Sequence, residues 1–196
     1  MTIRTMTWTG VAAALSVLLG TTAGAQQDFS PANHDRGRAA VEYRDPDVHV
    51  LAAYYYSQRH HESRWIVIDA ALSTEERSLL ARDAFSLRTP AGREIPLATQ
   101  RRIGEDTVTV QQLVRNASVE GHDVLSYFSQ RERTYGMRLF TFPFGGVVHD
   151  DFTVDHNEVA AGPLFFESPT GAWEDGTYAL IVRHPNGVAE LPIRLE

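Results

Sequence analysis

The chain has 196 residues, of which 43% are hydrophobic and 22% charged, and its formal net charge is −7 at pH 7. Such a composition is typical of a globular protein and not of a disordered or collagen-like chain. The sequence contains no cysteine. It also contains no lysine, since all 18 Lys and Arg positions are arginine. Disulfides, thiolate-ligated zinc, cysteine nucleophiles and Schiff-base or Walker-type lysines are therefore excluded. The diffuse negative charge, with no arginine cluster, argues against nucleic acid as a partner.

Residues 1–25 have the three parts of a secretory signal peptide. Arg4 supplies the positive charge, residues 11–19 form a short apolar run, and residues 23–25 have the small-x-small cleavage pattern. We therefore predict export to a periplasm or to the outside of the cell. No cysteine follows the apolar run, which excludes a lipoprotein. No later apolar run reaches the roughly 18 residues of a membrane span, so we expect none after signal cleavage.

The rest of the chain divides into two parts. Residues 26–38 are polar and aperiodic, and we expect a flexible leader there. Residues 39–196 show no internal repeat and no second linker, and they suffice for one domain with its own core.

Period-2 alternation of apolar and polar residues predicts at least seven strands. Pro185-Asn186-Gly187 has the Asn-Gly signal of a hairpin between the last two of them. Pro192 predicts an edge position for the final strand, because proline cannot donate to a ladder. The predicted strands lie at about 48–56, 65–68, 85–88, 95–97, 140–144, 152–154, 164–166, 178–183 and 189–195.

Two stretches suggest helices. Ser73-Thr74-Glu75-Glu76 resembles a capping box and predicts a short helix over about 74–82. The apolar spacing over 110–117 predicts a second helix ending before Gly121. The β-branched residues of 107–110 would equally suit a strand, and the sequence leaves both alternatives open.

Many short strands with short helices in the connections predict a mainly β fold, an antiparallel β-sandwich. The segment 173–180, Trp-Glu-Asp-Gly-Thr-Tyr-Ala-Leu, resembles the penultimate strand of an immunoglobulin-like domain. A second similarity, over Ile66–Leu97, is to exported bacterial immunoglobulin-like modules of unknown function. The resemblance implies that Tyr178 is a structural tyrosine corner and that Leu180 replaces a disulfide cysteine by apolar packing. It implies a fold and no chemistry.

The densest polar cluster of the sequence lies between His149 and Glu158. Imidazole and carboxylate are the ligands for a divalent metal once thiolates are excluded. His149 and Asp151 share one face of a strand, and His60 and His61 are the obvious further donors. A divalent cation is therefore the one candidate cofactor, although both clusters also suit solvated loops.

Aromatic residues offer a second candidate surface. Tyr54 and Tyr56 share the inward face predicted from Val48 and Val50, so Tyr55 is the exposed aromatic contact. A carbohydrate-binding sandwich would need Tyr55 or Trp173 exposed beside carboxylates.

The sequence favours a non-catalytic, exported binding or structural module of the cell envelope with no cofactor. Its partner would be an envelope protein or peptide, recognised by strand addition at an edge such as the final strand. The alternatives are a metal-binding protein or metal-dependent hydrolase using the four predicted ligands, and a carbohydrate-binding sandwich.

Overall fold

The computed structural model describes residues 28–120, 123–128, 133–142 and 145–196. The predicted signal peptide over 1–25 lies outside the described residues. Short 3₁₀ turns occur at Arg82–Ala84 and Val124–Tyr127. The helices are α1 (Tyr55–Arg59), α2 (Gln100–Glu105) and α3 (Thr107–Glu120). The strands are β1 (Asn33–Asp35), β2 (Ala40–Arg44), β3 (Val48–Ala53), β4 (Trp65–Thr74), β5 (Ser78–Ala81), β6 (Phe85–Arg88), β7 (Glu94–Pro96), β8 (Arg133–Gly136), β9 (Asp151–Val154), β10 (Glu158–Glu167), β11 (Gly176–His184) and β12 (Gly187–Leu195).

The strands form three sheets, and the protein is mainly β. The largest sheet has the order β1-β2-β3-β4-β10-β8, and its neighbours are antiparallel except the parallel pair β10 and β8. A four-stranded antiparallel sheet has the order β12-β11-β6-β7. A small sheet pairs β5 with β9 in antiparallel fashion.

The main core lies between the inner faces of these sheets. Alternate residues of β4, such as Ile66 and Ile68, pack there in one apolar cluster with Leu180 of β11 and Leu191 of β12. Leu80 of β5 and Phe152 of β9 belong to the same cluster, so the small sheet helps to close it. This face-to-face arrangement is consistent with the predicted β-sandwich.

The opposite face of the six-stranded sheet is covered by a helical layer. Trp65, Val67 and Phe165 pack against buried residues of α2 and α3. Further along this face, Leu51 and other buried residues pack against the 3₁₀ turn at 124–127 and the residue that follows it. A sandwich alone would leave this outer face in water, so the helices add a third layer.

The predicted helix over 74–82 is wrong. β4 continues to Thr74, and the next residues form β5, in which Leu80 is buried and Leu79 is exposed. The hydroxyl of Thr74 donates to the carbonyls of Glu76 and Val154 and does not cap a helix. Pairing with β9 and burial of one leucine outweigh the local capping signal.

The first predicted strand ends earlier than expected. β3 stops at Ala53, and the tyrosines after it enter α1. Ser57 of α1 then takes the place of a neighbouring strand, because its hydroxyl donates to the Val67 carbonyl at 2.7 Å and accepts from the Val67 N–H at 2.8 Å. A side chain thus supplies the backbone hydrogen bonds that a longer β3 would have made.

The strand predicted over 140–144 is also wrong for its described residues, 140–142, which form no regular element. The side chain of Gln100 accepts from the Thr141 N–H at 2.9 Å and donates to the Thr141 carbonyl at 2.7 Å. Phe140 packs edge-to-face on Phe165, with ring centroids 4.4 Å apart. An amide side chain therefore satisfies this backbone in place of a strand.

Two other predictions are confirmed: the last two strands form a hairpin, and Pro192 lies on an edge strand of the four-stranded sheet. The stretch 107–120, for which the sequence left helix and strand open, is helical. Within the predicted leader, Asn33–Asp35 form β1, which pairs with β2.

Candidate functional site

Two of the four predicted metal ligands follow α1. The Nδ1 of His61 lies 2.9 Å from the Gln58 carbonyl oxygen, and its Nε2 lies 2.7 Å from a carboxylate oxygen of Asp175. The Nε2 of His60 lies 4.0 Å from a carboxylate oxygen of Glu120. Each imidazole therefore has its own local partner.

The other two predicted ligands lie beside the small sheet. The backbone N–H of His149 donates to the Arg138 carbonyl at 2.8 Å, and Asp151 begins β9. No hydrogen bond or ion pair between described residues joins this pair to His60 or His61. Within the described ranges, no group of three or more His, Asp and Glu side chains is placed to hold a metal ion. The structure does not bring the predicted ligand set together.

The aromatic residues predicted as a contact surface are less accessible than expected. Tyr55 is half-buried and packs against the apolar clusters of the sheet. Trp173 is 4% exposed, and its indole N–H donates to the Arg64 carbonyl at 3.2 Å. Neither residue forms an exposed platform for a sugar.

Tyr178 makes the hydrogen bond that a tyrosine corner requires. Its hydroxyl donates to the carbonyl of Glu174, four residues upstream, at 2.9 Å, and the Glu174 N–H approaches the same oxygen at 3.3 Å. The ring also packs edge-to-face on Trp173, with centroids 5.5 Å apart. This contact ties the loop before β11 to the start of the strand.

The final strand, β12, is an edge strand, and part of its free side is occupied. The Glu190 carbonyl accepts from the Asn33 side chain at 2.9 Å, so alternate residues of β12 direct their backbone groups to this side. Among them, Pro192 has no N–H. The edge predicted to accept a partner strand is therefore blocked at Glu190 and lacks a donor at Pro192.

β5 has an open edge. The Arg82 N–H donates to the Asp150 carbonyl at 2.8 Å, which fixes the alternation of the β5–β9 ladder. By that alternation Leu79 and Ala81 direct their N–H and carbonyl groups away from β9. The Ala81 carbonyl begins the 3₁₀ turn at 82–84, whereas no backbone group of the described residues pairs with the N–H groups of Leu79 and Ala81 or with the Leu79 carbonyl. The Leu79 side chain is also 64% exposed on this edge.

A groove of about 300 Å³ runs beside this edge. Its other wall is the end of β11, with Arg183, His184 and Pro185. The Nε2 of His184 is buried without a hydrogen-bond partner among the described residues. Burial lowers the pKa of His184, although the charges of Asp45 and Asp47 partly oppose the shift. His184 therefore forms part of the groove wall, but its Nε2 is not exposed to the groove.

The groove exists because the chain bends between β5 and β6. β6 pairs with β11 as far as the register Phe85 to Val182. The preceding 3₁₀ turn, Arg82–Ala84, carries the chain away from β11, so β5 pairs with β9 instead. Continuous pairing would have filled the space that the groove occupies.

A buried charged cluster lies on the outer face of the six-stranded sheet. Glu42 is 2% exposed; one carboxylate oxygen is 2.5 Å from the Nε2 of His49, and the other accepts from Arg36. Burial disfavours the ionised carboxylate, but the Arg36 and His49 contacts outweigh it and hold the pKa of Glu42 below its usual range. The His49 ring stacks on Phe128, with centroids 4.1 Å apart. This cluster joins β2, β3 and the residue after the second 3₁₀ turn.

A different carboxyl on this face has no partner. Asp69, in the middle of β4, makes no hydrogen bond or ion pair with any described residue. Burial raises the pKa of Asp69 to about 6. Its small cavity, about 10 Å³, is lined by three consecutive tyrosines, Val67 and residues of β3 and α3. In the sequence, Asp69 is the one charged residue within the apolar run of β4, and this is the only sequence feature that points to it.

Comparison with family models, with curated proteins and with solved structures found no match for this chain. In the part of the chain that the structure describes, every helix is too short or too polar to cross a membrane.

Proposed function

We propose that the chain is an exported, non-catalytic binding module of the cell envelope that takes an extended segment of a protein partner at the open edge of β5. The observation that carries the proposal is the unpaired N–H groups of Leu79 and Ala81, with the unpaired Leu79 carbonyl, beside the groove. A strand added there would pair with these groups, and its side chains would enter the groove. The final strand, where Asn33 occupies the Glu190 carbonyl and Pro192 lacks an N–H, is not proposed for this role.

The immunoglobulin-like relationship remains part of the proposal. It is supported by two facing sheets and by the hydrogen bond from Tyr178 to the Glu174 carbonyl. The parallel β8–β10 pair and the helical layer are additions to the two-sheet plan of that family.

Photo-cross-linking at the strand edges tests the binding proposal. A photoreactive amino acid at Leu79 should cross-link one discrete envelope protein in cells of the source organism. The same amino acid at Val188 is the matched control, because this residue is also apolar and 47% exposed but lies on β12, at the edge of a different sheet. Cross-linking of the same proteins from both positions would contradict the proposal.

A backbone variant then tests the pairing itself. Ala81→Pro removes one N–H at the open edge and leaves the ladder to β9 intact, because Ala81 faces away from β9. One net hydrogen bond is worth about 1 kcal/mol, so affinity for the captured partner should fall about fivefold to tenfold. Circular dichroism should show an unchanged fold. Full affinity in a folded Ala81→Pro protein would exclude strand addition at β5.

A further inference from the structure

The outer edge of β5 has two free donors and two free acceptors. The N–H and carbonyl of Leu79 and the N–H of Ala81 have no backbone partner among the described residues, and the same holds for the carbonyl of Arg77, just before the strand. The Ala81 carbonyl is committed to the 3₁₀ turn that follows. A strand that pairs here must therefore match these four groups.

The four groups are complementary to those of a second copy of the chain. In an antiparallel pair, residues directly opposite each other exchange N–H and carbonyl bonds. If Leu79 lies opposite Leu79 of the second copy, the two residues exchange both bonds, and the Ala81 N–H meets the Arg77 carbonyl of the other copy. Placing Leu79 opposite Ala81 of the second copy would need the Ala81 carbonyl, which the turn occupies. The free groups thus select a two-fold axis at Leu79.

The side chains of this edge suit the same register. Leu79 is 64% exposed, and the two-fold axis brings it against the same leucine of the second copy. Contact between the two leucines removes apolar surface from water. By the period of two, Arg77, Leu79 and Ala81 share one outer face, together with Asp151, which lies opposite Ala81 in β9.

Charges on this face are complementary across the axis. The register places Arg77 opposite Ala81 of the second copy, and Asp151 of that copy lies on the next strand. Two strand spacings of about 4.8 Å separate the backbones, a distance that an arginine and an aspartate side chain bridge together. Both residues are exposed, and neither has an ion pair with another described residue. A two-fold dimer forms this contact twice.

We propose that, in the absence of a protein partner, β5 pairs with β5 of a second copy in a two-fold dimer, and that the partner displaces this copy. The inference rests on the proposed function, since both need a free edge of β5. The dimer joins two small sheets into one with the order β9-β5-β5-β9, and a two-fold contact stops at two copies. Because β5 has only four residues, we expect a weak, reversible dimer.

Charge reversal tests the pairing. Sedimentation velocity of the whole chain as exported should show a monomer–dimer equilibrium that shifts to dimer as the concentration rises. Arg77→Asp alone and Asp151→Arg alone each place like charges together at both contacts, so each should raise the dissociation constant about tenfold or more. A mixture of the two variants restores opposite charges at both contacts and should form a heterodimer of nearly natural affinity.

Arg93→Asp is the matched control for these variants. It makes the same change of charge at an exposed residue of the turn between β6 and β7, and it should leave the dimer unchanged. Circular dichroism should show the natural fold in every variant. A natural chain that stays monomeric at every concentration, an assembly larger than a dimer, or two variants that do not rescue each other would overturn the proposal.

A distance measurement with the natural charges in place covers the case in which a reversed variant does not fold. Because the chain has no cysteine, Thr153→Cys gives a single site for a spin label. Thr153 lies opposite Leu79 in β9, so three strand spacings, about 14 Å, separate the two labelled backbones of the dimer. Electron spin resonance should detect one short distance that is lost on dilution. A dimer without this distance would pair elsewhere and would reject the proposal.

This dimer and the binding of a protein partner can fail separately. Photo-cross-linking at Leu79 in cells gives a species of two chain masses for the dimer and a species of a different mass for a protein partner. Capture of a partner by a chain that never dimerises would overturn the dimer and leave the binding proposal intact. A dimer with no captured partner would support the pairing and contradict the proposed function.

Discussion

The charged side chains on the outer faces of the two larger sheets differ in their exposure to water. On the four-stranded sheet, Arg88 pairs with Glu190 and Arg183 pairs with Glu94, with these side chains a quarter or more exposed. On the six-stranded sheet, Glu42 and Asp69 are held under helices and turns. Water screens the first set, so its pairs have little influence on stability. Glu42 is buried and Asp69 is partly buried, so each carboxyl loses hydration and is destabilising when ionised unless it is well paired.

Removal of Glu42 should have the largest effect. Glu42→Ala leaves His49 buried without its carboxylate and frees Arg36, and loss of one member of a buried pair costs about 3–5 kcal/mol. Urea unfolding at pH 7 measures this free energy. The matched control is Glu94→Ala on the exposed face, which should cost less than about 1 kcal/mol. Similar losses of unfolding free energy in both variants would show that burial does not make the Glu42 contacts more important than the exposed pair of Glu94.

Asp69→Asn should have the opposite sign. The pKa of Asp69 is raised to about 6, above its unfolded value, so its ionisation destabilises the fold as pH rises through that range. The shift corresponds to about 3 kcal/mol, hence the variant should be more stable than the natural protein by up to this amount at pH 7.5. At pH 4 the two proteins should have nearly equal stability. Urea midpoints at the two pH values check the sign, and a variant destabilised at pH 7.5 would contradict it.

Ser57→Ala should have an intermediate effect. The change leaves the buried N–H and carbonyl of Val67 unpaired, since β3 ends before it could pair with this part of β4. An orphaned buried polar group costs about 1–3 kcal/mol. Thermal and urea unfolding measure the loss, with Ser118→Ala on the exposed surface of α3 as the control that should change little. Equal stability of both variants would show that water replaces the hydroxyl.

The pair Arg88 and Glu190 should contribute least. Its bonds are short, at 2.9 and 2.5 Å, but its side chains are 25% and 37% exposed. A double-mutant cycle with Arg88→Ala and Glu190→Ala should give a coupling below about 1 kcal/mol that shrinks further in 1 M salt. A coupling above about 2 kcal/mol that salt does not change would show that this exposed pair stabilises the fold as strongly as a buried pair does.

Sequence patterns predicted the strands whose inner faces line the core between the two sheets, because each of these strands has one apolar face and period-2 alternation. The hairpin at Pro185-Asn186-Gly187 was predictable from its local Asn-Gly signal. The stretch after Asp106 was left open between helix and strand, and the structure makes it helical. The segment 74–82 was not predictable, since its capping signal competes with burial of Leu80 and pairing with β9. Nor could the sequence show that Asn33 occupies the free side of the final strand, because this residue is far from Glu190 in the chain.

By itself the sequence determined a mainly β protein without thiol or lysine chemistry, because residue types and periodicity are local properties. Only the tertiary structure decided which polar residues meet. It kept His149 and Asp151 apart from His60 and His61, paired Glu42 with His49, and left Asp69 alone under α1. It also decided which strand edge stays open, since the bend at Arg82–Ala84 turns β5 away from β11. These outcomes depend on long-range packing, in which distance and desolvation, and not residue type, set the energy of each charge.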